Sequence, residues 1–183
     1  MKKTLIALAI SGISMTSMAT FAESPSFNFV ELGYTQIDID DVPFDPDGFE
    51  LDLNFELNEN FYLSADYAKV DEMSTELKMS NIGFGFKSDI SDSTAFFAQI
   101  DWSKIDAGEI DEDGYKVSTG VRSNVTNHLE LTAAYEYLDI DDDSSNFFLF
   151  GAAYKMSDNV SMYADYKLES DMDQMSVGVR YSF

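Results

Sequence analysis

Any reaction run by this chain has to draw on carboxylates, one imidazole, hydroxyls and amines. The 183 residues hold 34 Asp and Glu against 11 Lys and Arg, with one histidine and no cysteine. Without cysteine there is no disulfide, no thiolate ligand and no cysteine nucleophile. Serines are plentiful, but none has a nearby base to activate it. His128 follows the short polar stretch "VTN" and reads as a surface residue at a strand end. Glu50 and Asp52 imitate a hydrolase pair, yet a network of charges on one strand face explains them better. The reading is therefore of no catalytic residue and no enzyme. A formal charge of −23 also argues against a nucleic-acid partner.

The acidic runs permit a second chemistry, cation binding, through Asp45 and Asp47, Asp111 and Asp113, and Asp141, Asp142 and Asp143. Calcium takes about six to eight oxygen ligands, which clustered carboxylates can supply. The EF-hand pattern fails, however. With Gly114 at the sixth loop place, Gly120 stands where the bidentate Glu belongs, and with Gly48 there, Asn54 does. No cofactor and no specific metal site are expected, only loosely bound Ca2+ or Mg2+.

The elements that carry these residues have a period of two. In "GFELDLNFEL" Phe49, Leu51, Leu53, Phe55 and Leu57 alternate with Glu50, Asp52, Asn54 and Glu56. That is a strand with one oily and one charged face. The pattern recurs near 27–38, 48–57, 61–70, 75–87, 93–104, 114–124, 128–140, 146–156, 160–168 and 174–183, giving ten candidate strands. Each has about the length that a tilted strand needs to cross a bilayer. Connections after alternate strands are short ("NEN", "SDISD", "VTN", "SDN"), and the intervening ones are more acidic and often longer ("IDDVPFDPD", "IDAGEIDED", "DDDSS"). Short turns at one end and longer loops at the other mark an outer-membrane barrel. Strand 75–87 changes parity between Leu77, Met79 and Ile82, Phe84, Phe86, which suggests a bulge. Strand 27–38 does the same near Ile37, so eight strands remain an alternative to ten.

Ahead of these, "MKKTLIALAISGISMTSMATFA" has two lysines, an apolar run and small residues up to Ala22. That is the layout of a cleaved secretory signal peptide, residues 1–22, leaving a barrel domain at 23–183.

Alternation alone does not say whether the oily face meets lipid or a soluble core. Its uniformity favours lipid, as do aromatics near strand ends at Phe61, Tyr67, Trp102, Tyr115, Tyr137 and Tyr166. On that reading Glu31, Glu50, Asp52, Glu56, Asp66, Asp101, Glu130, Glu136 and Asp165 face the lumen with Lys116, Arg122, Lys155, Lys167 and Arg180. A secreted ten-stranded barrel or sandwich with an apolar interior is the alternative.

The closing stretch "QMSVGVRYSF", ending on Tyr181 and Phe183, resembles the C-terminal signal that the bacterial barrel-assembly machinery reads. With it, "SFNFVELGYTQID", the "DPDG" and "DEDG" loops and the ten-strand layout resemble the diffusible-signal-factor-regulated porin-like barrels of proteobacteria. The resemblance implies a porin-like barrel at the cell surface and carries over no catalytic motif. The fold expected from the residues is an all-β, up-and-down barrel in the outer membrane, monomeric and in contact with lipid and lipopolysaccharide. The expected function is a small porin-like barrel with a narrow charged lumen, structural and passing small solutes or cations. A cell-surface interaction protein acting through its acidic loops is the alternative.

Overall fold

The computed structural model describes residues 23–39, 45–72, 75–108, 110–141 and 143–183. The expected signal peptide, residues 1–22, lies outside them, as do Asp40, Asp41 and Asp142. Ten strands follow in chain order: β1 (Phe29–Ile39), β2 (Asp47–Glu56), β3 (Phe61–Glu72), β4 (Thr75–Ser91), β5 (Thr94–Ala107), β6 (Ile110–Asn124), β7 (Leu129–Ile140), β8 (Asp143–Lys155), β9 (Val160–Leu168) and β10 (Met172–Ser182). Each pairs antiparallel with its sequence neighbours, and β1 pairs with β10, so the sheet closes into an up-and-down barrel. Closure leaves no unpaired strand edge.

Side-chain parity divides the wall into two faces. Outward stand Leu51, Leu53, Phe55, Ile100, Phe148, Phe150, Val177 and Val179, all exposed, together with Trp102 at 49 %. Inward stand Glu31, Asp101, Arg122, Glu136 and Arg180, all buried. A closed cylinder that is apolar outside and charged within can be stable only where lipid surrounds it, which overturns the soluble alternative. Aromatic pairs flank this band at both ends, Phe49 with Tyr67 and Tyr115 with Tyr137 at one, Phe61 with Phe86 and Phe55 with Phe183 at the other.

The even strand count brings both termini to the same end. At the opposite end β3 to β6 project as long hairpins, held beyond the band by Lys69 to Glu76 at 2.6 Å and Lys104 to Asp111 at 2.6 Å. Projecting hairpins belong outside the cell and the terminal end to the periplasm.

Three expectations need correction. Strand 75–87 has no bulge at its parity change, because β4 pairs residue by residue with β3 throughout and with β5 as far as Asp89. Its one register shift falls between Asp89 and Ser91, at the periplasmic end. Strand 27–38 is likewise continuous, with Ile37 opposite Gln174 and buried. Much of the acidic sequence expected in loops is ladder instead: Asp106 stands opposite Asp111 and Lys104 opposite Asp113, with a turn at Gly108 in the left-handed region (φ 70°). Cross-strand pairing satisfies backbone groups that an open loop would leave to water, so β5, β6 and β8 extend to Ala107, Ile110 and Asp143.

Candidate functional site: the barrel lumen

The interior is stacked in three tiers. The lowest is built by residues 23–28, which do not leave the barrel at its rim but turn under it. Phe27 is only 2 % exposed and packs at 4.8 Å, ring centre to ring centre, from Tyr62 and 6.0 Å from Phe97. Its backbone amide donates to Glu56 Oε1 at 2.7 Å, and the same oxygen takes Lys87 Nζ at 2.6 Å. The Arg122 guanidinium lies 4.5 Å from the Phe27 ring centre and 4.9 Å from that of Phe29, and Arg180 lies 4.4 Å from Phe29. Cations over ring faces at such distances are attracted by the ring quadrupole. Gly85 makes room for this tier, since a Cβ there would stand 2.0 Å from Tyr62 Cζ. Beneath it a mouth of about 520 Å³ opens, bordered by Asn124, His128, Lys155 and Phe183.

The middle tier is a belt of charges. Glu130 Oε1 accepts from Arg122 Nη2 at 2.7 Å and Arg180 Nη1 at 2.8 Å, while Arg180 Nε donates to Glu31 at 2.6 Å. Lys116 Nζ lies 3.0 Å from Asp66 and 3.6 Å from Asp101, and Lys167 Nζ 2.9 Å from Glu136. Asp101 also accepts from Ser64 Oγ at 2.7 Å, and Glu50 accepts from Tyr163 and Ser176 hydroxyls at 2.9 Å each. Buried ions are tolerated when paired and hydrogen-bonded in this way. Among the described residues no Lys or Arg nitrogen comes within 4.0 Å of a Glu50, Asp52 or Asp165 oxygen. The belt therefore carries unpaired carboxylates.

The upper tier is apolar. Ile37, Ile140 and Phe147 are buried there with Leu77, Met79 and Met172 around a cavity of about 300 Å³. Glu50, Asp52, Asp66, Lys116, Glu136 and Lys167 border both this cavity and one of about 170 Å³ below it. Two atoms facing the lower cavity, Arg122 Nη1 and Asn54 Oδ1, have no protein partner.

The residues read from sequence as lumen-facing all lie on the inward parity. Most of them meet in the belt, whereas Lys155 sits apart, exposed at the periplasmic mouth. Lys87, Phe27, Tyr62, Phe97 and Tyr163 belong to the lumen and were missed. Their signal was present: Phe27 and Phe29 share the parity of Glu31, and Lys87 shares that of Leu77 and Met79. The acidic positions at the outer end do not converge. Asp45 accepts from Gln36, Asp111 pairs with Lys104, Asp113 lies within β6 opposite Lys104, Asp141 is in the turn after β7 and Asp143 begins β8. Among the described residues no three carboxylates form a cluster able to hold a metal ion. Asp142 lies outside those residues. His128 is in a periplasmic turn, its ring stacked 6.2 Å from that of Tyr154.

Comparison with known proteins places this architecture. No curated protein matches the sequence. Among solved structures, the KdgM porin superposes with a TM-score of 0.53 at 13 % identity, over 85 % of this chain and 99 % of that one. The KdgM porin in complex with disordered oligogalacturonate gives 0.52 at the same identity and coverage. Ail of Yersinia pestis in a phospholipid nanodisc gives 0.47 at 14 % identity, over 85 % and 97 %. At these identities the likeness is one of fold. The family model described as "Outer membrane protein beta-barrel domain" matches residues 5–155, and the chain belongs to that family of outer-membrane barrels.

Proposed function

We propose that this barrel is a narrow porin-like element of the outer membrane whose lumen is stoppered from the periplasmic side. The observation that carries the reading is Phe27, wedged between Tyr62 and Phe97 beneath the charged belt. Ten strands enclose little more than the eight whose interior side chains fill. With an aromatic stopper in place, only water and small ions have room to pass. The unpaired Glu50, Asp52 and Asp165 favour cations among those ions. They argue against a polyanion such as the oligogalacturonate of the KdgM complex. The chain would act without catalysis, as a monomer, with Phe183 read by the assembly machinery and the projecting acidic hairpins beside lipopolysaccharide. Membership of the diffusible-signal-factor-regulated group is part of this reading, supported by residues 26–38 and the closing strand.

Planar-bilayer recording of the refolded protein tests it. The wild type should be silent or show small cation-selective steps, and Phe27→Ala should raise the step size. A large anion-selective conductance in the wild type would sink the proposal.

A further inference from the structure

The upper tier has no part in the porin-like reading. A conducting lumen is normally polar along its length. This one carries Ile37, Leu77, Met79, Ile140, Phe147 and Met172 just inside its outer mouth, contributed by four strands and the start of β10. These side chains do not close on one another. They enclose about 300 Å³, roughly twice the cavity volume known to hold a benzene molecule. Pockets that bind small molecules share this composition, an apolar lining with a few convergent polar groups.

The polar groups are at the floor, and their pairing decides what they would accept. Lys116 is held by Asp66 and Asp101, and Lys167 by Glu136, so both cations are already satisfied. Asp52 has no hydrogen-bond or ion-pair partner among the described residues, and Glu50 has only neutral donors from Tyr163 and Ser176. The two carboxylates neighbour each other on one face of β2 and border the cavity.

The geometry points to a binding site, at the extracellular end of the lumen, for a small amphipathic amine, its ammonium on Asp52 and Glu50 and its apolar body against the Ile37, Leu77 and Phe147 wall. A fatty acid of the same size would set its carboxylate against these acids. A body of roughly ten carbons fits the volume. The wall of the site lies on the far side of the belt from the Phe27 stopper, and its floor shares Glu50 and Asp52 with the cation path of the porin-like reading.

Methionine methyl resonances of the barrel in zwitterionic lipid nanodiscs read the site directly, because Met79 and Met172 line it while Met156, Met162 and Met175 face lipid. Titration with 4-phenylbutylammonium should shift the Met79 and Met172 methyls saturably. The matched anion, 4-phenylbutyrate, should bind at least about tenfold more weakly, the discrimination one unpaired carboxylate contact can supply. Asp52→Asn, checked for unchanged heat-modifiable migration, should weaken the amine by a similar factor. Ser145→Leu, which fills the cavity from a wall position opposite Leu138, should weaken both ligands. Equal response to ammonium and carboxylate, absence of saturation, or shifts confined to the lipid-facing methionines would each overturn the site without bearing on conductance.

Discussion

The Arg122 guanidinium lies over the Phe27 ring at 4.5 Å while its Nη2 donates to Glu130 at 2.7 Å, so one side chain ties the stopper to the wall. Arg122→Ala removes both contacts. The expected outcome is a conductance increase like that of Phe27→Ala, together with a lower urea midpoint. The cation–π share of the loss should be on the order of 1–2 kcal/mol for so desolvated a pair. Phe27→Tyr, which keeps the ring, should leave conductance near wild type.

Glu130 serves two arginines through one oxygen, Arg122 and Arg180. Glu130→Gln keeps the shape but leaves Arg122 without its one carboxylate partner among the described residues. Removing one partner of a buried ionic group costs about 3–5 kcal/mol, so equilibrium unfolding from lipid should show a loss of that order. Lys155→Gln, at the exposed mouth, should change stability by less than about 0.5 kcal/mol.

Gly85 is required by a ring and not by its own backbone angle. A Cβ at this position stands 2.0 Å from Tyr62 Cζ, so Gly85→Ala should destabilise the barrel by about 1–3 kcal/mol through overpacking. Tyr62→Ala should relieve most of that increment when the two are combined. A double-mutant cycle measures the coupling, and strict additivity would show that the clash is accommodated elsewhere.

Phe183 packs against Phe55 and Tyr181, each at 6.5 Å, and its amide donates to the Asn28 carbonyl at 3.2 Å. Deleting it should lower the amount of folded barrel recovered from the outer membrane, while the purified chain still refolds into lipid. The comparison uses heat-modifiable migration in both settings. Equal losses in cells and in vitro would assign Phe183 to stability alone.

Period-two alternation was enough to read the ten strands, because a sheet has only two faces, but turning the charged face inward also needed the uniform oily face and the aromatics near strand ends. Asp52, Asp66, Lys116 and Arg180 follow from parity once lipid meets the oily face. The outer chamber did not, because parity reading takes every apolar residue as outward. Leu77, Met79 and Ile37 then look like a slipped strand when they are an apolar patch facing inward. The stopper was hidden for a related reason. Phe27 and Phe29 read as ordinary strand residues until the barrel closes and gives them Tyr62, Phe97 and two arginines to meet. The acidic stretches around Asp106 and Asp111 were polar enough to pass for loops, and only cross-strand pairing showed them as ladder.

The seam between β1 and β10 is also where the stopper leaves the wall. Asn28, the residue after Phe27, accepts from Phe183 and, through its side chain, from the Glu56 amide at 2.8 Å. The closing strand thus completes the anchor of the segment that precedes the first strand. A chain lacking its final strand would have neither a shut cylinder nor a fixed stopper. On the proposed reading, closing the seam and setting the stopper are one event.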